Sequence, residues 1–342
     1  MTHSRRSVLR RGAGVAAAGT AASLAGCSGG ADGGTGGFDS GYAAFFTPND
    51  WANEIASERA SFEDPVDVGQ LGHGWTPDGN LAADVAATDA FVYLDSPEFS
   101  WAQDLAGTLE ADYDTVAVID GLAGLEGDLL DWNHSHGGEE RDDESGDHDE
   151  SGDHDGEDGH DEGRGYDPHV WVDPVFAADI VDNIAAGLGE ADPDNADAYA
   201  DNADAYAEEL DAVDAAFQSV ADEAARDVAV LAGHNSFQYL EARYGFRLHS
   251  PVGVSPQNEP TQTEIADTID LVDSEGIEVV LYDRFQSPRL AESIVENSGA
   301  TEAVPVTPAG GTTREWNDAG YGYLEQMTEI NVPAFERAFG AQ

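Results

Sequence analysis

Lysine is absent from the 342 residues, cysteine occurs once and methionine twice. A single cysteine excludes any disulfide within the chain. Positive charge is equally scarce: 14 arginines face 69 Asp and Glu, a net charge of −55. Nucleic acid phosphates and anionic headgroups are thereby excluded as electrostatic partners, and cations become the natural counterparts. Long hydrophobic runs are missing too. The apolar stretch near the N-terminus is short and rich in Ala and Gly, unlike a membrane-spanning helix. Hydrophobic residues still make up 41%, enough for real cores, so the chain is not globally disordered and has room for two domains.

The acids run along the whole chain: residues 134–166 hold fourteen of the 69. Self-repulsion of that size is tolerable when salt screens it, since ~1 M salt shortens the Debye length to about 3 Å. A halophilic source is implied. The chain opens Ser4-Arg5-Arg6-Ser7-Val8-Leu9 and reaches Leu24-Ala25-Gly26-Cys27. Twin arginines before a short apolar segment predict twin-arginine export. Leu-Ala-Gly-Cys resembles a lipoprotein processing box, so residues 1–27 form the signal and Cys27 becomes a lipidated N-terminus. Residues 28–39 then act as a flexible tether.

From residue 40 onward short β-rich runs alternate with helical stretches, which predicts parallel sheets covered by helices. The first set of strands is expected at Ala43–Phe46, Val66–Leu71, Ala90–Leu94 and Thr115–Ile119, the second at Val228–Ala232, Arg247–Val252, Val279–Tyr282 and Ala303–Val306. The fold class is therefore α/β, with an N-terminal lobe over 40–191 and a C-terminal lobe over 226–342, each built on a four-stranded sheet. Between them Tyr199, Tyr206, Leu210, Val213, Phe217 and Val220 recur at helical spacing. With Asp192 as N-cap and Pro193 in the first turn, one backbone helix over 192–225 is expected to join the lobes. Residues 134–166 carry Gly, Asp, Glu and His with no core-forming residues and are expected to be a disordered insertion.

Position singles out a few histidines. His73 and His234 each fall two residues after an expected strand, where ligands bind in open α/β sheets. His169 sits in a turn between Pro168 and Pro174, and Asp283 closes the strand at Val279–Tyr282. His249 falls inside a strand and reads as structural. A lone loop histidine is more often a surface hydrogen-bonder, but three of the four outside the signal and insertion occupy such positions. Three neutral imidazoles with a carboxylate or water suit Zn²⁺ better than Ca²⁺ or Mg²⁺, while Mn²⁺ usually recruits more oxygen.

Several runs here resemble the metal-binding receptors of zinc/manganese-class ABC importers. They are Gly72-His73-Gly74-Trp75-Thr76-Pro77, Asp167-Pro168-His169-Val170-Trp171-Val172-Asp173-Pro174, Gly233-His234-Asn235-Ser236-Phe237-Gln238-Tyr239-Leu240 with Arg243-Tyr244-Gly245 after it, and Glu259-Pro260. The resemblance implies His73, His169 and His234 as metal ligands. Manganese-type members place an aspartate four residues beyond the acid that ends the strand; here that position is Ser287. Zinc-type members often lack that aspartate and complete the sphere with water or another carboxylate, for which Asp283 is a candidate beside a structural role.

The reading is a monomeric, lipid-anchored receptor outside the cell that takes up Zn²⁺, or Mn²⁺, and passes it to an importer permease. It is not expected to be an enzyme. A zinc hydrolase would also use three histidines but needs a general base, and no His-Glu-x-x-His motif is present. A surface zinc buffer would work through His134, His136, His148, His154 and His160, expected to bind the metal weakly. Proton competition at three imidazoles predicts affinity loss below about pH 6.

Overall fold

The run Ala90-Phe91-Val92-Tyr93 lacks polar alternation, the pattern of a parallel strand covered on both faces. In a computed structural model, which describes residues 38–131, 166–253 and 259–341, it lies inside the first of two sheets. That sheet contains β1 (Ser40–Ala43), β2 (Ser61–Glu63), β3 (Ala90–Tyr93) and β4 (Ala117–Asp120), all parallel, in the order β2-β1-β3-β4. The second holds β5 (Ala229–Leu231), β6 (Leu248–His249), β7 (Val279–Asp283) and β8 (Glu302–Val306), parallel in the order β6-β5-β7-β8. The second half repeats the strand order of the first.

The helices are α1 (Phe46–Ala56), α2 (Leu81–Val85), α3 (Ser100–Asp112), α4 (Pro174–Ala191), α5 (Ala196–Glu223), α6 (Gln238–Tyr244), α7 (Gln262–Glu275), α8 (Arg289–Asn297) and α9 (Arg314–Ala319). A last helical stretch starts as α10 (Tyr323–Glu325), widens into π-helix over Gln326–Asn331 and ends as α11 (Val332–Phe339). The predicted stripe is the buried face of α5: Tyr199, Tyr206, Leu210, Val213, Phe217 and Val220. This helix packs on α4 and α1, and also on α6 and α11. One continuous core therefore runs from Phe91 and Ile184 through Phe217 to Leu231 and Phe335. A smaller core of Val230, Val272, Val280 and Ile294 covers the other face of the second sheet. The described residues from Phe38 onward form one compact unit.

Boundaries differ from expectation in several places: the strand expected at Arg247–Val252 shrinks to Leu248–His249 and the one at Thr115–Ile119 becomes Ala117–Asp120. The long helix begins at Ala196, because Asp192 ends α4 and its carboxylate accepts bonds from Asn195 Nδ2 and Tyr199 Oη; Pro193 lies in the turn between the two helices. The strand expected at Ala43–Phe46 ends at Ala43, and Phe45 already caps α1. Val66–Leu71 is a loop, with β2 earlier at Ser61–Glu63. Pro65 cannot donate to a ladder, Gly69 takes φ +96° and Val68 is 47% exposed, so an extended paired strand has no support there. Cys27, His134, His136, His148, His154 and His160 lie outside the described residues.

Candidate metal centre

His73, His169 and His234 come together from three separate connections. His73 is in the loop that follows β2, flanked by two glycines with distinct reasons. A Cβ on Gly72 would stand 2.7 Å from the Phe45 side chain, and Gly74 has φ +70°. Trp101 Nε1 fixes the loop by donating to Gly72 O at 3.2 Å. His169 opens a 3-10 turn, His169–Val172, that leads through the N-cap Asp173 into α4. His234 follows β5 in the loop before α6. Both His169 and His234 are buried and His73 is partly buried.

The ring centroids are 6.3 Å apart for His73–His169, 6.1 Å for His73–His234 and 5.5 Å for His169–His234. One nitrogen from each ring lies within 4.8 Å of the others. Tetrahedral zinc with bonds of about 2.0–2.1 Å sets its donors about 3.4 Å apart, so a small inward movement closes the set. Nε2 of His73 and Nε2 of His169 are buried without a hydrogen-bond partner. Buried polar atoms rarely stay unpaired, and a cation between these lone pairs satisfies both.

Electrostatics favours the metal-ready form. Burial, reinforced by the neighbouring His169, lowers the His73 pKa to about 4. Burial first, then His169 and His73, lower that of His234 to about 3. Both rings are neutral at pH 7, each with one ring nitrogen unprotonated. Asp167 orients His169: its Oδ1 accepts from the His169 backbone N at 3.0 Å and lies 2.8 Å from Nδ1. The carboxylate is held in turn by Gln238 Nε2 at 2.9 Å. A histidine so held presents Nε2 outward with its proton on Nδ1.

Asp283 is not part of the three-histidine group. Its Oδ1 accepts from Phe285 N at 2.9 Å and its Oδ2 from Gln286 Nε2 at 3.1 Å. Burial pushes its pKa up to about 6, opposed by these bonds and by His169. Gln286 Nε2 is also 2.7 Å from His234 Nδ1. His249 ends β6, with Nε2 2.9 Å from Thr268 Oγ1. Asp167 and Gln286 were not singled out as functional in the sequence. The Asp-x-His spacing, which suits an Asx turn closing on the histidine's own N–H, signals the first; Gln286 carries no local signal.

The sequence profile of the family described as zinc-uptake complex component A, periplasmic (ZnuA), matches residues 42–338. The zinc-binding lipoprotein AdcA of Streptococcus pneumoniae is 30% identical over 86% of this chain and 54% of its own length. The high-affinity zinc uptake system protein ZnuA of Bacillus subtilis is 27% identical over 47% of this chain and 50% of its own. The chain spans about half the length of the curated relatives it matches. In fold it is similar to the metal-dependent lipoprotein YcdH of Bacillus subtilis, with TM-score 0.70, 21% identity, and coverage of 88% of this chain and 99% of that one. Zn(II)-bound AdcA from Streptococcus pneumoniae gives TM-score 0.69 and 24% identity over 90% of this chain and 59% of that chain. With the profile spanning nearly the whole described fold, the chain belongs to the zinc-uptake complex component A family.

Proposed function

We propose that the protein is a receptor that captures Zn²⁺ and hands it to the permease of an ABC importer, without chemical turnover. The observation that carries this is the pair of buried, unpartnered Nε2 atoms on His73 and His169 beside His234. Imidazole donors favour Zn²⁺ over Mn²⁺, which draws more oxygen. In this reading Asp283 supplies the fourth donor, and its raised pKa makes it a carboxyl that gains from a cation nearby. Twin-arginine export and lipid on Cys27 place the protein at the outer membrane face. One acyl chain binds marginally, so a second lipid group is part of the proposal. The insertion histidines, His134 to His160, act as weak auxiliary binders that pay chain entropy at every event.

A competitive zinc titration at high salt, in a chain lacking residues 134–166, tests the reading. One tight site should remain, and His169→Ala should remove most of it. Tight binding that disappears with the insertion would make the protein a buffer instead. For the anchor, Cys27→Ser should release protein to the medium; full membrane retention of that variant refutes the anchor.

A further inference from the structure

The three imidazoles of the metal centre are not equivalent. Nε2 is bare on His73 and His169, whereas both ring nitrogens of His234 are engaged. Ser236 Oγ is 2.7 Å from His234 Nε2, and Gln286 Nε2 is 2.7 Å from Nδ1. A ring nitrogen in a hydrogen bond has committed either its lone pair or its proton. His234 therefore cannot take a metal until one contact is given up.

The two contacts differ in how easily they yield. On the Nδ1 side, Gln286 carries both a donor and an acceptor, so by turning its amide and releasing Asp283 Oδ2 it keeps a bond to Nδ1 in either ring tautomer. On the Nε2 side stands one hydroxyl, two residues along the same loop, that leaves by rotation about a single side-chain torsion. Nε2 is also the free nitrogen on the other two histidines.

We propose that Ser236 is a placeholder on the ligand nitrogen of His234. Its hydroxyl occupies Nε2 in the metal-free protein and is displaced by the ion, while Gln286 orients the ring from Nδ1. In the metal-bound form Nε2 holds zinc and Nδ1 the proton, so Gln286 turns its amide oxygen to accept from Nδ1–H. The inference rests on reading the three histidines as the zinc site. Its consequence is a site tuned below its maximum affinity: the hydroxyl reoccupies Nε2 as zinc departs, which eases transfer.

The test is a zinc competition titration of the full chain at high salt, joined to ¹⁵N spectra of the His234 ring. Ser236→Ala should bind zinc about two- to tenfold more tightly, the worth of one hydrogen bond no longer competing. Ser236→Thr, which keeps the hydroxyl, should match the parent. Gln286→Ala should bind about 10–100-fold more weakly, as loss of a partner behind a ligand does. In metal-free protein Ser236→Ala should move the Nε2 resonance and leave Nδ1 in place. Ser236→Ala binding no tighter than the parent, or Ser236→Thr as tight as Ser236→Ala, overturns the proposal. The unmodified chain gives a second check: a zinc complex with metal on Nδ1 of His234 overturns it even if no variant folds. Undiminished binding by His234→Ala would instead overturn the zinc-site reading itself.

Discussion

Asp167 serves the site and the fold together: it bonds His169 at two atoms, takes Gln238 on its other oxygen, and its backbone carbonyl accepts from Tyr239 Oη. Asp167→Ala should weaken zinc binding by about 10–100-fold, by freeing the His169 ring; parental affinity in a titration would show the carboxylate to be dispensable. Acidity is the other lever on single residues. The sequence-based expectation of steep loss below about pH 6 assumed three ordinary imidazoles, but burial holds His73 at about 4 and His234 at about 3. Neither competes with protons above about pH 5, which leaves the proposed fourth donor Asp283, raised to about 6, as a group whose proton opposes zinc between pH 6.5 and 5. A plot of log affinity against pH should have a slope well below three there; a slope of three would contradict the burial argument. Without metal the same shifts act on folding. These bases bind fewer protons folded than unfolded, so the stability they contribute is present above pH 6.5. It is lost as pH falls through about 4 and then about 3. That His234 joins the group was legible from its place after a strand, whereas His73 was singled out for a strand at Val66–Leu71 that is a loop, and comes to the group all the same. Ser236 and Gln286 were not legible, because their contacts depend on χ rotations and on a chain return of 52 residues.

Helix α5 was legible because one stripe, Tyr199 to Val220, repeats over about six turns and polar residues fill the opposite face; the expected N-cap failed for a reason equally physical. Asp-Pro reads as a helix start, but Asp192 is also a good helix end, and Tyr199 and Asn195 bond back to it. Strand β2 illustrates the opposite case. Three residues, Ser61–Glu63, with only Phe62 buried leave no periodicity to read, while the more apolar Val66–Leu71 drew the expectation away. A further element-level link is Asp173, which caps α4 through Val175 N and ion-pairs with Arg243 on α6. In Phe217→Ala, the ring between Tyr244 and Phe335 is lost from the α5 face where the core passes between the sheets. It should cost about 3–5 kcal/mol by the usual penalty for a buried aromatic. Chemical denaturation of the metal-free chain measures it, and a loss under 1 kcal/mol would mean the two sheets do not share one core.

Charge decides how the whole molecule behaves. Among the described residues arginine pairs with acids at Arg243–Asp173, Arg284–Glu315 and Arg337–Glu302, few contacts against a net charge of −55. Exposed pairs add little, so pairing cannot offset the repulsion and screening must. Raising salt from 0.1 M to 1 M takes the Debye length from about 10 Å to about 3 Å, and repulsion between surface carboxylates fades with it. The melting temperature of the metal-free protein should therefore climb steeply across that range. Zinc should act by a separate route, since the three histidines proposed to bind it are buried or partly buried and come from both halves of the chain. At 100 times its dissociation constant it should add about 2.7 kcal/mol, roughly 5–10 °C, at any salt where the chain is folded. The two effects should add, because one screens the surface and the other fills the interior. Thermal melts on a grid of salt and zinc test this. A zinc increment that vanishes in high salt would mean that the ion stabilises by neutralising surface acids, not by joining His73, His169 and His234.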